Sequence, residues 1–145
     1  MGLLKASILG VYTVAEESGE SVYQGQVLRY LAELPWYPLA ILKEKEIQWE
    51  QVSDNKVIAK FKGADQVLKV EYTFNTEGLI EKIYTEDRIF SEKKAKYPWL
   101  GEFSKYQNKN GILIPCRGEV SWLINTEKFT YFKGDIQNYN WIGND

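Results

Sequence analysis

Residues 29–38 read RYLAELPWYP, and this short stretch decides the fold because it carries a helix together with the signal that ends it. Arg29 and Glu33 are one helical turn apart, the spacing of an ion pair on a helix surface. Pro35 ends the helix because proline has no backbone N–H and restricts the residue before it. Pro38 suits the first turn of a second helix. The stretch therefore predicts a helical hairpin.

The residues before this stretch indicate where the first helix begins. Ser21 and Gln24 have the spacing of a capping box, in which the two side chains satisfy unpaired backbone N–H groups. Apolar residues then recur at helical spacing and predict a buried face: Tyr23, Val27, Tyr30, Leu31 and Leu34. The helical hairpin is thus predicted over residues 21–43, with its second helix over residues 38–43.

From Ile47 onward, apolar residues follow a period of two, which is typical of strands with one buried face. Short clusters of Asn, Asp, Gly and Ser separate the segments and favour antiparallel hairpins. The predicted strands cover residues 47–52, 56–62, 66–74, 79–90, 112–123 and 128–141. Residues 91–110 show little periodicity, and we interpret them as a long loop or a turn of helix.

Together these elements predict an α+β fold. A helical hairpin packs on a curved, mostly antiparallel β-meander of about six or seven strands, half-barrel-like in shape. The length of 145 residues is typical of a single domain, residues 1–145. An apolar segment at residues 3–14 favours another strand over a secretion signal, because it is rich in β-branched and aromatic residues.

The composition argues against several classes of function. The net charge is −2 and the basic residues are scattered, so we expect no nucleic-acid partner, since such binding needs a basic face. The chain has no histidine, which is the commonest zinc ligand and the usual base for a cysteine nucleophile. We interpret the single cysteine, Cys116, as a small buried residue. Without a phosphate-loop, dinucleotide-binding or hydrolase motif, the sequence predicts no enzyme, catalytic residue, cofactor or metal site.

The location of the protein follows from weaker signals. The apolar segment at residues 3–14 is too short for a transmembrane helix, so we expect no membrane span. Without a convincing leader, we expect a cytoplasmic protein. Periplasmic export of a longer parent protein is the alternative.

Aromatic residues form 14% of the chain, enough to fill a thick core or to line a ligand cavity. In the second interpretation, the lining residues are Tyr30, Trp36, Trp49, Tyr72, Trp99 and Trp122. Arg88 or Arg117 would then lie at the mouth of the cavity and hold an anionic head group. If Arg29 joined these two, the three arginines would form an anion site; otherwise each belongs to a separate structural ion pair.

The burial of the ion pair between Arg29 and Glu33 decides how much this pair contributes to the stability of the fold. We expect the sheet to cover this pair, so that it is a buried, structural ion pair. Removing one partner of a buried pair costs about 3–5 kcal/mol, whereas an exposed pair contributes less than about 1 kcal/mol.

These segments together resemble a known family. The motifs are RYLAE-x-x-W-x-P from Arg29 and G-I-x-I-P-x-x-G-E-V-x-W over residues 111–122, followed by FTYFKGDI over residues 129–136. They resemble an uncharacterised bacterial family known only as a domain of unknown function, and this chain resembles the C-terminal part of its longer members. The resemblance covers nearly the whole chain and implies no activity. The element order is also similar to the half-barrel of lipoprotein carriers, at the level of the fold alone.

Two functions follow as expectations. The first is a non-catalytic binding or carrier module for an apolar small molecule or a lipid-like ligand, held between helix and sheet. The alternative is a structural or interaction module that pairs its sheet edge with another chain as a homodimer, because an unpaired edge is a template for strand addition.

Overall fold

The computed structural model describes residues 20–63 and 65–140. The strand predicted at residues 3–14 and the last residue of the strand predicted at 128–141 lie outside these ranges. The helices are Glu20–Glu33 (α1) and Pro38–Lys43 (α2), joined by a 3-10 turn, Leu34–Trp36. The strands are Ile47–Ser53 (β1), Lys56–Lys62 (β2), Val67–Phe74 (β3), Ile80–Thr85 (β4), Ile89–Phe90 (β5), Ala95–Lys96 (β6), Trp99–Lys109 (β7), Ile112–Ile124 (β8) and Glu127–Asp135 (β9).

Seven of the strands form one antiparallel sheet in the order β1-β2-β3-β4-β7-β8-β9. The two-stranded β5–β6 hairpin lies between β4 and β7 in the chain. The predicted α+β fold, a helix packed on an antiparallel sheet, is confirmed. Among the described strands the sheet is neither closed nor strongly curled, so it lacks the half-barrel curvature that the sequence predicts.

The first helix ends and the second begins where the prolines predict. α1 ends at Glu33, two residues before Pro35, and α2 begins at Pro38. The 3-10 turn between them is closed by the N–H of Tyr37, which donates to the carbonyl of Leu34 at 2.9 Å. The prediction that Ser21 is the N-cap is wrong, because Glu20 before it is already helical.

The interpretation of residues 91–110 as a loop or a turn of helix is wrong, because this range contains β7, eleven residues long. The first half of β7 does alternate, with Trp99, Gly101 and Phe103 buried and the residues between them less so. Gly101 interrupts the apolar pattern at a core position because the side chain of Ile83 fills the space where its Cβ would lie. The second half is polar and pairs with β8. The strand predicted at residues 79–90 is shorter in the structure, where β4 leaves the sheet after Thr85.

The core lies between α1 and the helix-facing side of the sheet. α1 contributes Val27 and Leu31, and the 3-10 turn after it contributes Leu34. The central strands contribute Ala59, Val70, Tyr72 and Ile83, and all of these side chains are almost fully buried. The Tyr72 hydroxyl donates to the backbone carbonyl of Leu31, a residue of the last turn of α1. Because such carbonyls have no partner within the helix, this bond satisfies the carbonyl of Leu31 and joins α1 to β3.

Trp36 attaches the 3-10 turn to β8. Its indole Nε1 donates to the carbonyl oxygen of Pro115 at 3.1 Å, and its ring meets Phe103 edge-on, with centroids 5.3 Å apart. A Cβ on Gly118 would lie 2.8 Å from the indole, so a glycine is needed where this ring lies on the strand.

Candidate functional site

Three of the predicted lining residues lie toward the β1 edge of the sheet: Tyr30, Trp49 and Tyr72. Tyr72 is buried in the core, and Trp49 packs against its ring at 5.5 Å while remaining 39% exposed on the edge strand. Tyr30 is partly buried, and its hydroxyl donates to a carboxylate oxygen of Glu44 at 3.1 Å. Burial, followed by the charge of Glu44, raises the pKa of Tyr30, so this hydroxyl stays protonated. Tyr72 and Tyr30 thus hold the helical hairpin, and Trp49 packs on Tyr72; none of the three lines a described cleft.

Trp99 and Trp122 lie at the other end, opposite each other on β7 and β8. They belong to an aromatic cluster that also contains Phe90, Tyr97 and Tyr131. The ring of Trp122 stacks on Tyr131 at 6.1 Å and contacts Phe90 at 5.0 Å. The indole Nε1 of Trp99 donates to the Tyr131 hydroxyl at 2.8 Å. β9 therefore fixes the orientation of the Trp99 ring.

Sequence reasoning missed an aromatic surface on β9, formed by Phe129, Tyr131 and Phe132, which we call the β9 aromatic patch. These side chains are 60%, 48% and 47% exposed. Phe129 pairs with Trp122 and Phe132 with Val120, so both lie on the helix-facing side, and Tyr131 joins them by stacking on Trp122. A register shift between the two pairs places neighbouring residues on one face. The sequence signal for this surface is the run FTYF at residues 129–132, whose two adjacent aromatic residues do not fit a strict alternation of buried and exposed positions.

Arg88 lies beside this patch. Its guanidinium carbon is 4.8 Å from the centroid of the Trp99 ring, a cation–π geometry. In the ranges that the structure describes, no carboxylate lies within ion-pair distance of Arg88. Burial lowers the pKa of its guanidinium, and the positive charge of Arg29 lowers it further, while Tyr131 and Glu33 act in the opposite direction. The side chain remains a cation that is partly withdrawn from water.

Arg88 and Arg29 line one cleft, with a volume of about 350 Å³, between α1 and residues 87–91. Its apolar walls include Val22, Leu28 and Ile89. We call it the arginine cleft. Asp87 also borders the cleft, but its carboxylate accepts a hydrogen bond from the N–H of Lys69 at 3.0 Å and pairs with Lys96 at 3.3 Å.

The predicted ion pair of Arg29 and Glu33 forms, with Nε and Oε1 2.8 Å apart. Its predicted burial is wrong, because the two side chains are 65% and 38% exposed. This face of α1 points toward the cleft and solvent, not toward the sheet. The pair is therefore a surface pair with a small stabilising effect.

Arg117 lies elsewhere and is neutralised. Its guanidinium contacts Glu119 at 3.2 Å and Asp135 at 3.0 Å. The hydrogen bond from Arg117 lowers the pKa of Glu119, and the two acidic partners raise that of Arg117. Two of the three arginines thus share a cleft, and the third forms a separate structural pair.

A second cleft, of about 380 Å³, lies on the solvent side of β3 and β4. Its charged lining is mainly acidic, with Glu71, Glu86 and Asp87 against the single base Lys69. Tyr84 also lines it, and burial, with a hydrogen bond to Glu86, raises the pKa of Tyr84 to about 12. At neutral pH this hydroxyl is a donor and not a base.

In residues 20–63 and 65–140, no group of three Cys, Asp or Glu side chains could hold a metal ion. Within that part of the chain, no helix is long and apolar enough to cross a membrane. Cys116 is buried, as predicted.

Comparison with known proteins agrees with the resemblance seen in the sequence. No curated protein and no solved structure matches the chain at a significant level. Residues 1–141 match a family described as a family of unknown function. The chain therefore belongs to this family, DUF6920.

Proposed function

We propose that the protein is a non-catalytic binding or carrier module for an apolar or lipid-like ligand, which lies on the β9 aromatic patch. The observation that supports this proposal is the exposure of Phe129, Tyr131 and Phe132 on one face, above the packed rings of the aromatic cluster. Contiguous exposed apolar surface marks interaction sites. A ligand on this open face does not require the half-barrel curvature predicted from the sequence.

The exposed area sets the strength of such binding. A buried aromatic side chain removes about 150–250 Å² from water, so covering the exposed half of three rings removes roughly 250–350 Å². At about 25 cal/mol per Å² the gross gain is about 6–9 kcal/mol. Association itself costs several kcal/mol, so the patch alone supports weak binding. A tighter complex needs an additional polar contact.

A neutral fluorescent probe tests the proposal. N-phenyl-1-naphthylamine carries no charge and becomes bright when it leaves water, so it reports the patch alone. We expect the double variant Phe129→Ser with Phe132→Ser to lose most of the signal of the wild-type protein. The matched control is Val52→Ser with Leu113→Ser, which removes two exposed apolar side chains away from the patch. No signal with the wild type, or an equal loss in the control, would overturn the proposal.

The same strand favours one alternative, a homodimer that pairs two β9 edges. Among the described strands, β9 has β8 as its sole neighbour, which leaves half of its backbone groups open to another strand. An antiparallel copy centred between Tyr131 and Phe132 would place Lys128 opposite Asp135 in both chains. Sedimentation velocity over a hundredfold range of concentration decides: a strict monomer removes this alternative, and a dimer lost in Phe132→Ser supports it.

A further inference from the structure

The unpaired charge of Arg88 is the feature that neither the fold nor the patch explains. A guanidinium that is partly withdrawn from water is destabilising unless an opposite charge or several acceptors compensate. Stacking on Trp99 supplies a modest cation–π attraction, and no described carboxylate supplies the rest. Such a residue is suited to bind an anion from outside the chain.

Neighbouring aromatic side chains hold the guanidinium of Arg88 in a position suited to binding an anion. Trp99 lies under the guanidinium, and the hydroxyl of Tyr131 holds the Trp99 ring by its indole N–H. A stacked guanidinium keeps the donors on its edge free, in the planar fork that matches a carboxylate or a phosphate. Little further ordering is needed when the anion arrives.

Arg29 adds a second positive charge to the same cleft. Its ion pair with Glu33 uses Nε, and its terminal Nη atoms have no described partner. Two arginines in one cleft repel each other, and an anion between them would convert that repulsion into attraction. Asp87, the acidic residue among those that line the cleft, is already engaged by the backbone N–H of Lys69 and the side chain of Lys96.

The cleft also borders apolar surface. Val22, Leu28 and Ile89 line its walls, and Tyr131 belongs both to the support of Arg88 and to the β9 aromatic patch. A volume of about 350 Å³ fits a head group with the first part of a chain. The remaining chain of an amphiphile would continue over Tyr131 onto the patch.

We propose that Arg88 and Arg29 form the head-group site for an anionic amphiphile whose apolar chain lies on the β9 aromatic patch. The recognised chemistry is a carboxylate or phosphate at the end of an alkyl chain. This inference rests on the proposed function, since the patch holds the chain. It also assigns the head group to Arg88 rather than Arg117, because Glu119 and Asp135 already neutralise Arg117.

Titration with dodecanoate, below the concentration at which it forms micelles, tests the site by calorimetry. Loss of a charge-assisted hydrogen bond should weaken dodecanoate binding roughly 10- to 100-fold in Arg88→Gln. Arg29→Gln should show a smaller loss, because this side chain is largely exposed. The matched control, Arg117→Gln, should bind as the wild type does. Equal affinity of wild type and Arg88→Gln, with both folded by circular dichroism, would overturn the inference.

Two further probes separate the sources of the effect. Inorganic phosphate should displace dodecanoate only at a concentration much higher than that of dodecanoate itself. Displacement at an equal concentration would mean that the site binds free anions, and it would overturn the proposal of an amphiphilic ligand. N-phenyl-1-naphthylamine should bind Arg88→Gln as well as it binds the wild type, because it has no head group. If the wild-type protein does not bind the neutral probe, the patch is not a binding surface. If dodecanoate binds equally well with and without Arg88, the head-group site is wrong.

Discussion

Replacing Gly101 by alanine should destabilise the sheet centre by an amount that the structure predicts. A Cβ at this position would lie 2.6 Å from Cγ1 and 2.9 Å from Cδ1 of Ile83, its partner on β4. Non-bonded carbon atoms pack at about 3.5–4.0 Å, so the overlap is about 1 Å. Ile83 is fully buried and its neighbours must move with it. Overpacking of this kind costs about 1–3 kcal/mol of the free energy of unfolding.

Urea unfolding of four proteins measures this effect: the wild type, Gly101→Ala, Ile83→Ala and the double variant. Ile83→Ala alone should cost about 2–5 kcal/mol, because it leaves a cavity. In that background both clashing atoms are absent, so adding Gly101→Ala should cost nothing or recover part of the loss. The control is Gly25→Ala in α1. There an added Cβ would meet no atom of the described residues within 4 Å beyond the helix's own backbone, and alanine should stabilise the helix by about 0.5–1 kcal/mol.

Two results would refute this reasoning. The first is an unchanged free energy of unfolding in Gly101→Ala, which would mean that the strands can separate without loss of stability. The second is an equal cost of Gly101→Ala with and without Ile83→Ala, which would show that the penalty does not come from this contact.

Further predictions concern polar contacts. Tyr72→Phe should cost about 1–3 kcal/mol in urea unfolding because it leaves a buried helix carbonyl without a donor, whereas Tyr84→Phe, whose hydroxyl bonds an exposed carboxylate, should change stability by less than about 0.5 kcal/mol. Arg29→Ala should cost less than about 1 kcal/mol, and a loss near 3 kcal/mol would mean that the pair is buried after all. Because Arg117 lowers the pKa of Glu119, their pairing stabilises the fold above the usual carboxyl pKa and is lost as the pH falls through the lowered one. Arg117→Gln should therefore raise the pKa of Glu119 in an NMR titration, and an unchanged pKa would contradict the contact.

The parts of the fold that could be predicted are those that local chemistry determines. Pro35 and Pro38 set the ends of the two helices, and regular alternation with turn residues located β1, β2 and β3 within one residue of their observed ends. β7 could not be recognised because Gly101 replaces an apolar residue where Ile83 fills the space, and this contact is between strands.

Of the residues that the sequence proposed for a binding site, Arg88, Trp99 and Trp122 lie near one another. Their neighbours on β9 depend on a register shift that no local pattern shows. The burial expected for Arg29 was wrong because helical periodicity places a residue on a face without saying what covers that face. Which two of three arginines share a cleft is likewise a result of strand order.

The strand order also has a consequence for how the chain folds. Most sheet neighbours follow each other directly in sequence, so each hairpin closes a short loop and the sheet can grow one strand at a time. The contact of Trp36 with Pro115 joins residues 79 apart, and closing so long a loop is entropically more costly. We expect the helical segment to dock on β8 late in folding and to detach from it early in local unfolding. Hydrogen exchange should then be faster near Trp36 than in β2 and β3, and the arginine cleft would open before the sheet does.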